Sequence, residues 1–183
     1  MAAPPEVDVH HMNASYDMNK KLSDSTTSML KMQGLPWLVR QAAAYSAVQV
    51  NLKQYTDHEG PHLDQEQIST GNITQQELRL LNGELGERDI QFWGKVNGKN
   101  RYIKISDIED PFLKEGWLEE GEGEEKGDVI ESWTESLENG WTALQIWGFQ
   151  MVDGQRKHVR RIVSKKGKEE HKVKLIYDFK VQQ

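Results

Sequence analysis

The segment RKHVRRIVS, residues 156–164, sets a histidine among arginines in a run of strand-forming residues. Side chains alternate along an extended strand, so His158, Arg160 and Ile162 share one face and Val159, Arg161 and Val163 the other. Only one of Arg160 and Arg161 can point into a core. With His158 and Arg160 inward, the interior gains a cation and a titratable ring, able to hold a phenolate or enolate oxygen. In the opposite orientation Val159 and Val163 pack inside and the charges stay in water. The residues alone leave both arrangements open. In KVKLIYDFK, Tyr177 shares a face with Val173, Leu175 and Phe179 and is predicted to point inward, its hydroxyl free to donate to a ligand. Arg160, His158 and Tyr177 are the candidate catalytic residues. Each is a donor, or in the case of His158 a weak acid, and none is a nucleophile.

Six tryptophans accompany them. In WTALQIWGFQ, Trp141, Gln145, Trp147 and Phe149 fall on one face, and flat aromatic walls suit a flat conjugated ligand. Core filling is the alternative for any single ring. Trp93 and Trp147 each precede a glycine, which marks a bend or a gap left for a ligand. The candidate ligand contacts are Trp37, Tyr45, Gln67, Trp93, Trp133, Gln145 and Trp147.

The bulk composition narrows the chemistry. The 183 residues are enough for one domain with a proper core. A net charge of −6 argues against nucleic acid as a partner. The absence of cysteine excludes disulfides, thiolate catalysis and Cys-based zinc sites, and suits the cytoplasm. The N-terminus has no basic and apolar leader, and no run approaches the length of a membrane span. The histidines show no ligand spacing, EEGEGEEKGD lacks an ordered calcium loop, and no glycine turn precedes a helix as a phosphate loop does. No metal or cofactor is expected.

The elements that must position these residues read as follows. Residues 1–11 form a flexible tail, and residues 12–183 a single domain. MNASYDMNKKLSD is a first strand, with Ala14, Tyr16 and Met18 alternating. Ser23 or Asp24 caps a helix that Gly34 stops, and Pro36 opens a second helix at a first-turn position, so the helical pair spans about 24–45. Turn signals then recur every eight to fourteen residues, the strongest being Asn97-Gly98 and Asp153-Gly154. About ten strands with hairpin connections make an antiparallel up-and-down barrel, mainly β, with a helix-turn-helix lid. Strands such as HLDQEQIST are polar on both faces. That predicts a partly wet cavity, or else edge strands.

The stretch ASYDMNKKLSDSTTSMLKMQGLPWLVRQAA resembles the intracellular fatty-acid-binding branch of the calycin superfamily, with Gly34, Trp37, Arg40 and Ala42 at matching positions. The resemblance implies a barrel with a two-helix lid over one mouth. Leu175 stands where that branch has an arginine two residues before the tyrosine, and extra sequence lies between Ser106 and Asp128. At whole-chain level, with IWGFQMVDGQRKHVRRIV and FLKEGWLEE, the sequence resembles small fungal calycin-type proteins that include hetero-Diels–Alderases of tropolone sesquiterpenoid biosynthesis. This resemblance implies a cofactor-free cycloaddition of a quinone methide with a sesquiterpene olefin. The alternatives are a non-catalytic carrier of a hydrophobic metabolite, and a dehydratase or isomerase on the same barrel. The expected partner is a hydrophobic small molecule, with a homodimer possible through the lid.

Overall fold

A computed structural model describes residues 1–180, so the end of the domain expected to run to 183 lies outside the described residues. Strand β1 (Ala14–Met18) leads into helices α1 (Thr27–Met32) and α2 (Trp37–Tyr45). There follow β2 (Val48–Asp57), β3 (Gly60–Ser69), β4 (Ile73–Glu77), β5 (Gly86–Ile90) and β6 (Gly94–Lys104). After the short helix α3 (Pro111–Lys114) come β7 (Asp128–Ser136), β8 (Thr142–Val152), β9 (Gln155–Lys166) and β10 (Glu169–Lys180). The strands form one antiparallel sheet in the order β4-β3-β2-β1-β10-β9-β8-β7-β6-β5. The sheet curls into the expected ten-stranded barrel, nearly closed. The β4 and β5 edges do not pair. The connector between them bridges outward instead, His62 to Leu80 on one side and Asn82 to Arg101 on the other. Among the described residues no helix is long and apolar enough to cross a membrane.

The lid is built much as its sequence suggests, with corrections at its caps. Gly34 adopts φ 88°, and the Leu35 amide returns to the Leu30 carbonyl, closing α1 and burying Leu35. Pro36 is the cap residue of α2 rather than its first helical residue. Neither Ser23 nor Asp24 caps α1; Thr26 holds that position without a side-chain bond. Ser23 and Asp24 instead accept from the Ile176 and Lys174 amides, at 2.8 and 2.7 Å, and tie the lid to β10. Helix α2 buries no residue fully. Val39 and Ala43 rest on the core, and Lys20 donates to the Ala44 carbonyl at the helix C-terminus at 2.7 Å.

Two further expectations change. Asn97-Gly98 is not a turn: it lies inside β6, and the β5–β6 reversal falls five residues earlier, where Phe92 takes φ 72°. Asp153-Gly154 does make the β8–β9 turn, both residues at positive φ. The first eleven residues are not a flexible tail. Ala3, Val7 and Val9 are buried, and with Met12 they form the floor of the barrel. Arg156 holds this floor, donating to the carbonyls of Pro4 (2.8 Å) and Val7 (2.7 Å) while pairing with Glu120 and lying over Phe149.

There are two apolar clusters. One fills the barrel and includes Tyr16, Val50, Leu63, Val96, Ile130, Trp147, Phe149 and Tyr177. The other lies outside it, where the inserted segment lays Ile108, Leu113 and Trp117 over Val129, Ile146, Val159, Val163 and Ile176. Strands β7–β10 are therefore apolar on both faces. Trp117 fills the space over Gly148, so that glycine makes room for a core ring rather than a ligand.

Candidate active site

The register of three strands settles the orientation left open by the sequence. Phe149 faces His158, which faces Tyr177; Trp147 faces Arg160, which faces Leu175. All six belong to the inner face. Val159 and Val163 point outward and are also buried, under the inserted segment. Arg161 points outward as well, donating to the Phe112 carbonyl at 3.0 Å and pairing with Glu115 at 3.1 Å.

His158 is completely enclosed, its ring among Tyr16 (5.1 Å between centroids), Tyr177 (5.2 Å) and Phe149 (5.7 Å). Its Nδ1 lies 3.1 Å from the Gly148 carbonyl and its Nε2 3.2 Å from Arg160 Nε. A carbonyl only accepts and a guanidinium only donates, so these partners assign the proton to Nδ1 and the lone pair to Nε2. Burial, reinforced by the Arg160 charge, holds the ring far below its ordinary pKa of 6.5. His158 is a neutral acceptor that orients Arg160. It has no proton available for a substrate, contrary to its expected role as a weak acid.

Arg160 is fixed on three sides. Nε donates to His158, Nη1 donates to Gln65 Oε1 at 2.8 Å, and the guanidinium carbon lies 3.6 Å from the Trp147 ring centroid. Nη2 has no partner among the described residues. A second guanidinium comes from the β4–β5 connector. Arg79 lies 4.7 Å from the same Trp147 centroid, its Nη2 pairs with Glu77, and its Nε and Nη1 have no partner. The two side chains are only 5% and 4% exposed. A third, Arg88 on β5, donates to the Leu78 carbonyl at 3.3 Å and leaves Nε unpaired. It lies across Gly98, where a Cβ would collide with its guanidinium. That contact is the use to which the strand glycine is put. Burial raises the pKa of Tyr177 and Tyr16, so both hydroxyls keep their protons as donors. Tyr16 Oη is likewise unpaired.

The other candidates divide. Gln145 points inward and accepts from Trp147 Nε1 at 3.1 Å. Gln67 is inward, opposite Val50, one inward position nearer the lid than Gln65. Trp93 donates to Gln33 Oε1 at 3.0 Å, and Gln33 donates onward to Ser164 Oγ at 3.1 Å, so the end of α1 is tied to both the β5–β6 turn and β9. Gln67, Gln145, Trp93 and Arg88 keep partial exposure while Trp147, His158 and Tyr177 are sealed. The inward residues nearest the lid are thus less deeply buried than those around Trp147. Trp133 is a correction: Ile130, Ser132 and Thr134 occupy the inward positions of β7, which turns Trp133 outward beside Leu144. Trp37 and Tyr45 are corrections too. They sit on the solvent side of α2, 61% and 83% exposed, outside the barrel interior.

Gln65, Arg79, Arg88 and Tyr16 complete the interior and were not among the sequence candidates. Gln65 was available by alternation from Gln67. Arg79 lies in no strand, and no periodicity points to it. Elsewhere, a surface hollow of about 640 Å³ lies over the outer faces of β1–β4, lined by polar groups such as Gln49, Asn51, Glu66 and Gln76. The β2–β3 turn brings ligand atoms of Asp57, Glu59 and His62 within 4.8 Å of one another, but both acids are exposed and Asp57 already bonds His62 at 2.8 Å.

Comparison with known proteins bears on this arrangement. No protein-family model matches the chain. It is 34% identical over 184 residues to "Pericyclase pydY" of an Acremonium species, covering 98% of this chain and 97% of the relative. It is 33% identical over 185 residues to "Probable pericyclase scpY" of Mollisia scopiformis, covering 97% and 94%. Among solved structures it is similar to lipid binding protein 8 of Caenorhabditis elegans (TM-score 0.56, 13% identity, 90% and 94% covered). It is also similar to a mutant of the fluorescent protein UnaG (TM-score 0.60, 13% identity, 93% and 97% covered) and to fatty-acid-binding protein 1 of Echinococcus granulosus (TM-score 0.54, 11% identity, 92% and 96% covered). At these identities the solved structures speak to the fold alone.

Proposed function

We propose that this chain, which belongs to the same family as "Pericyclase pydY" and "Probable pericyclase scpY", catalyses a cycloaddition inside its barrel. The observation that carries the reading is the Arg160 guanidinium, held over Trp147 by His158 and Gln65 with Nη2 left over. A pericyclic step forms its σ bonds from π electrons already in the substrates. It needs no nucleophile, only two reacting segments held face to face at contact distance. Trp147 is a flat aromatic wall behind the Arg160 guanidinium, which stacks on it. A spare guanidinium N–H beside that wall can donate to a carbonyl conjugated with the diene, withdrawing charge from it as the new bonds form. Because Arg160 is oriented before the substrate arrives, little reorganisation accompanies the reaction. Tyr177 offers a second donor on the same inner face.

The first reaction to try is the hetero-Diels–Alder coupling of a tropolone quinone methide with a humulene-type olefin, with products resolved chirally in the presence and absence of protein. Acceleration with a single stereoisomer is expected, and Arg160→Met should lower the catalysed rate about 100-fold. Tight binding with the background product ratio would replace the cyclase with a carrier. The cysteine-free sequence suits action in the cytoplasm.

A further inference from the structure

We infer that the substrate is an acid, bound as a delocalised oxyanion conjugated with the reacting diene, and that the unpaired N–H groups of Arg79 and Arg160 hold it. The inference rests on the cycloaddition reading and specifies its substrate. It begins with the charges of the interior. Arg79, Arg88 and Arg160 enter the barrel, and Glu77 is the one carboxylate that meets them among the described residues. His158 cannot offset the excess because it is an acceptor with no charge. Guanidinium groups do not lose their protons in proteins, so the imbalance is permanent.

Cations removed from water need an anion or a full set of acceptors. Here Nη2 of Arg160, Nε and Nη1 of Arg79 and Nε of Arg88 have neither, and Tyr16 Oη is also unpaired. Unsatisfied donors so concentrated inside a barrel are costly to the empty protein, and they make sense if the ligand brings the acceptors. Geometry narrows the ligand further. Both Arg160 and Arg79 lie over the Trp147 ring, at 3.6 and 4.7 Å from its centroid. The two guanidiniums are therefore neighbours, and one anion with its charge spread over two or more oxygens can meet the unpaired N–H groups of both. An enolised 1,3-dicarbonyl or another vinylogous acid meets this condition, and its oxygens are conjugated with any attached diene. A saturated fatty acid supplies the charge but no conjugated diene on which the two cations could act.

The test uses 2-decanoylcyclohexane-1,3-dione, an acidic enol whose absorption shifts on ionisation, together with its O-methyl enol ether and decanoic acid. Binding is read by calorimetry, and ionisation of the bound enol by its absorption across pH. The enolate should bind at least tenfold more tightly than the ether and than decanoate, and should stay ionised in the complex at least one pH unit below its free titration. Arg79→Met and Arg160→Met should each remove that preference. Arg79→Met should also leave the Tm of the empty barrel unchanged or higher, because it deletes an incompletely paired buried cation. Equal binding of acid and ether, equal binding of decanoate, a protonated bound enol, or no binding of any probe would overturn the inference. Catalysis of a neutral substrate without anion preference would defeat this inference alone. Anion binding without any cycloaddition would defeat the cyclase reading, and with it the reacting diene, and leave an anion-binding barrel.

Discussion

His158 shows how burial can reverse a side chain's chemistry. An imidazole with a pKa near 6.5 in water is a general acid, but here it is enclosed beside a cation and serves as an acceptor. Its presence makes stability depend on pH, with a definite sign. In the unfolded chain it takes up a proton as the pH falls through about 6.5; in the folded chain it does not until the pH is much lower. Below that upper limit the unfolded state binds more protons, and folding weakens by about 1.4 kcal/mol per pH unit. Thermal melts between pH 7.5 and 5 should show a falling Tm for the wild type and a flatter profile for His158→Gln; parallel profiles would contradict a neutral His158. That His158 and Arg160 share a face of β9, and that Tyr177 points inward, was legible in the sequence. Which face of β9 looked inward was not, because the inserted segment covers the opposite face and both sets of side chains are buried.

At the level of elements, the insertion between β6 and β7 is structural cladding for the strands that carry Trp147, His158, Arg160 and Tyr177. Asp110 caps α3 through the Phe112 and Leu113 amides, at 2.8 and 3.1 Å, and Trp117 donates to the Leu113 carbonyl at 2.6 Å. Leu113 is almost fully buried in the outer cluster, far from the spare guanidinium donors. Leu113→Ala should therefore lower stability by about 2–4 kcal/mol in denaturant melts, with the stereochemistry of the product unchanged. The insertion was visible in the sequence as extra length, but what it covered was not. Asn97-Gly98 misled for a different reason. The dipeptide favours a turn locally, but β6 pairs with β7 continuously from Val96 to Lys104, and that long ladder outweighs a two-residue preference. The ten-strand meander was readable because alternation and turn spacing repeat along the chain. Arg79 was not, because a connector has no period.

At the scale of the whole molecule, the barrel is stoppered at the end opposite its lid by its own first residues. Arg156 concentrates that attachment, reaching two tail carbonyls closely and Glu120 across from them. Arg156→Ala should cost about 3 kcal/mol and open the N-terminal segment to limited proteolysis; an unchanged Tm and cleavage pattern would show that the apolar contacts of Ala3, Val7 and Val9 suffice. The two-sided burial of β7–β10 has a mechanical consequence. That half of the cylinder is stiff, and it carries Trp147, His158, Arg160 and Tyr177 as a single block. The half formed by β2–β5 has a polar outer skin and ends at an unpaired seam, and it carries Gln65, Gln67, Arg79 and Arg88. Any swelling needed to admit a substrate falls on the compliant half. Amide hydrogen exchange should accordingly be faster across β2–β5 than across β7–β10.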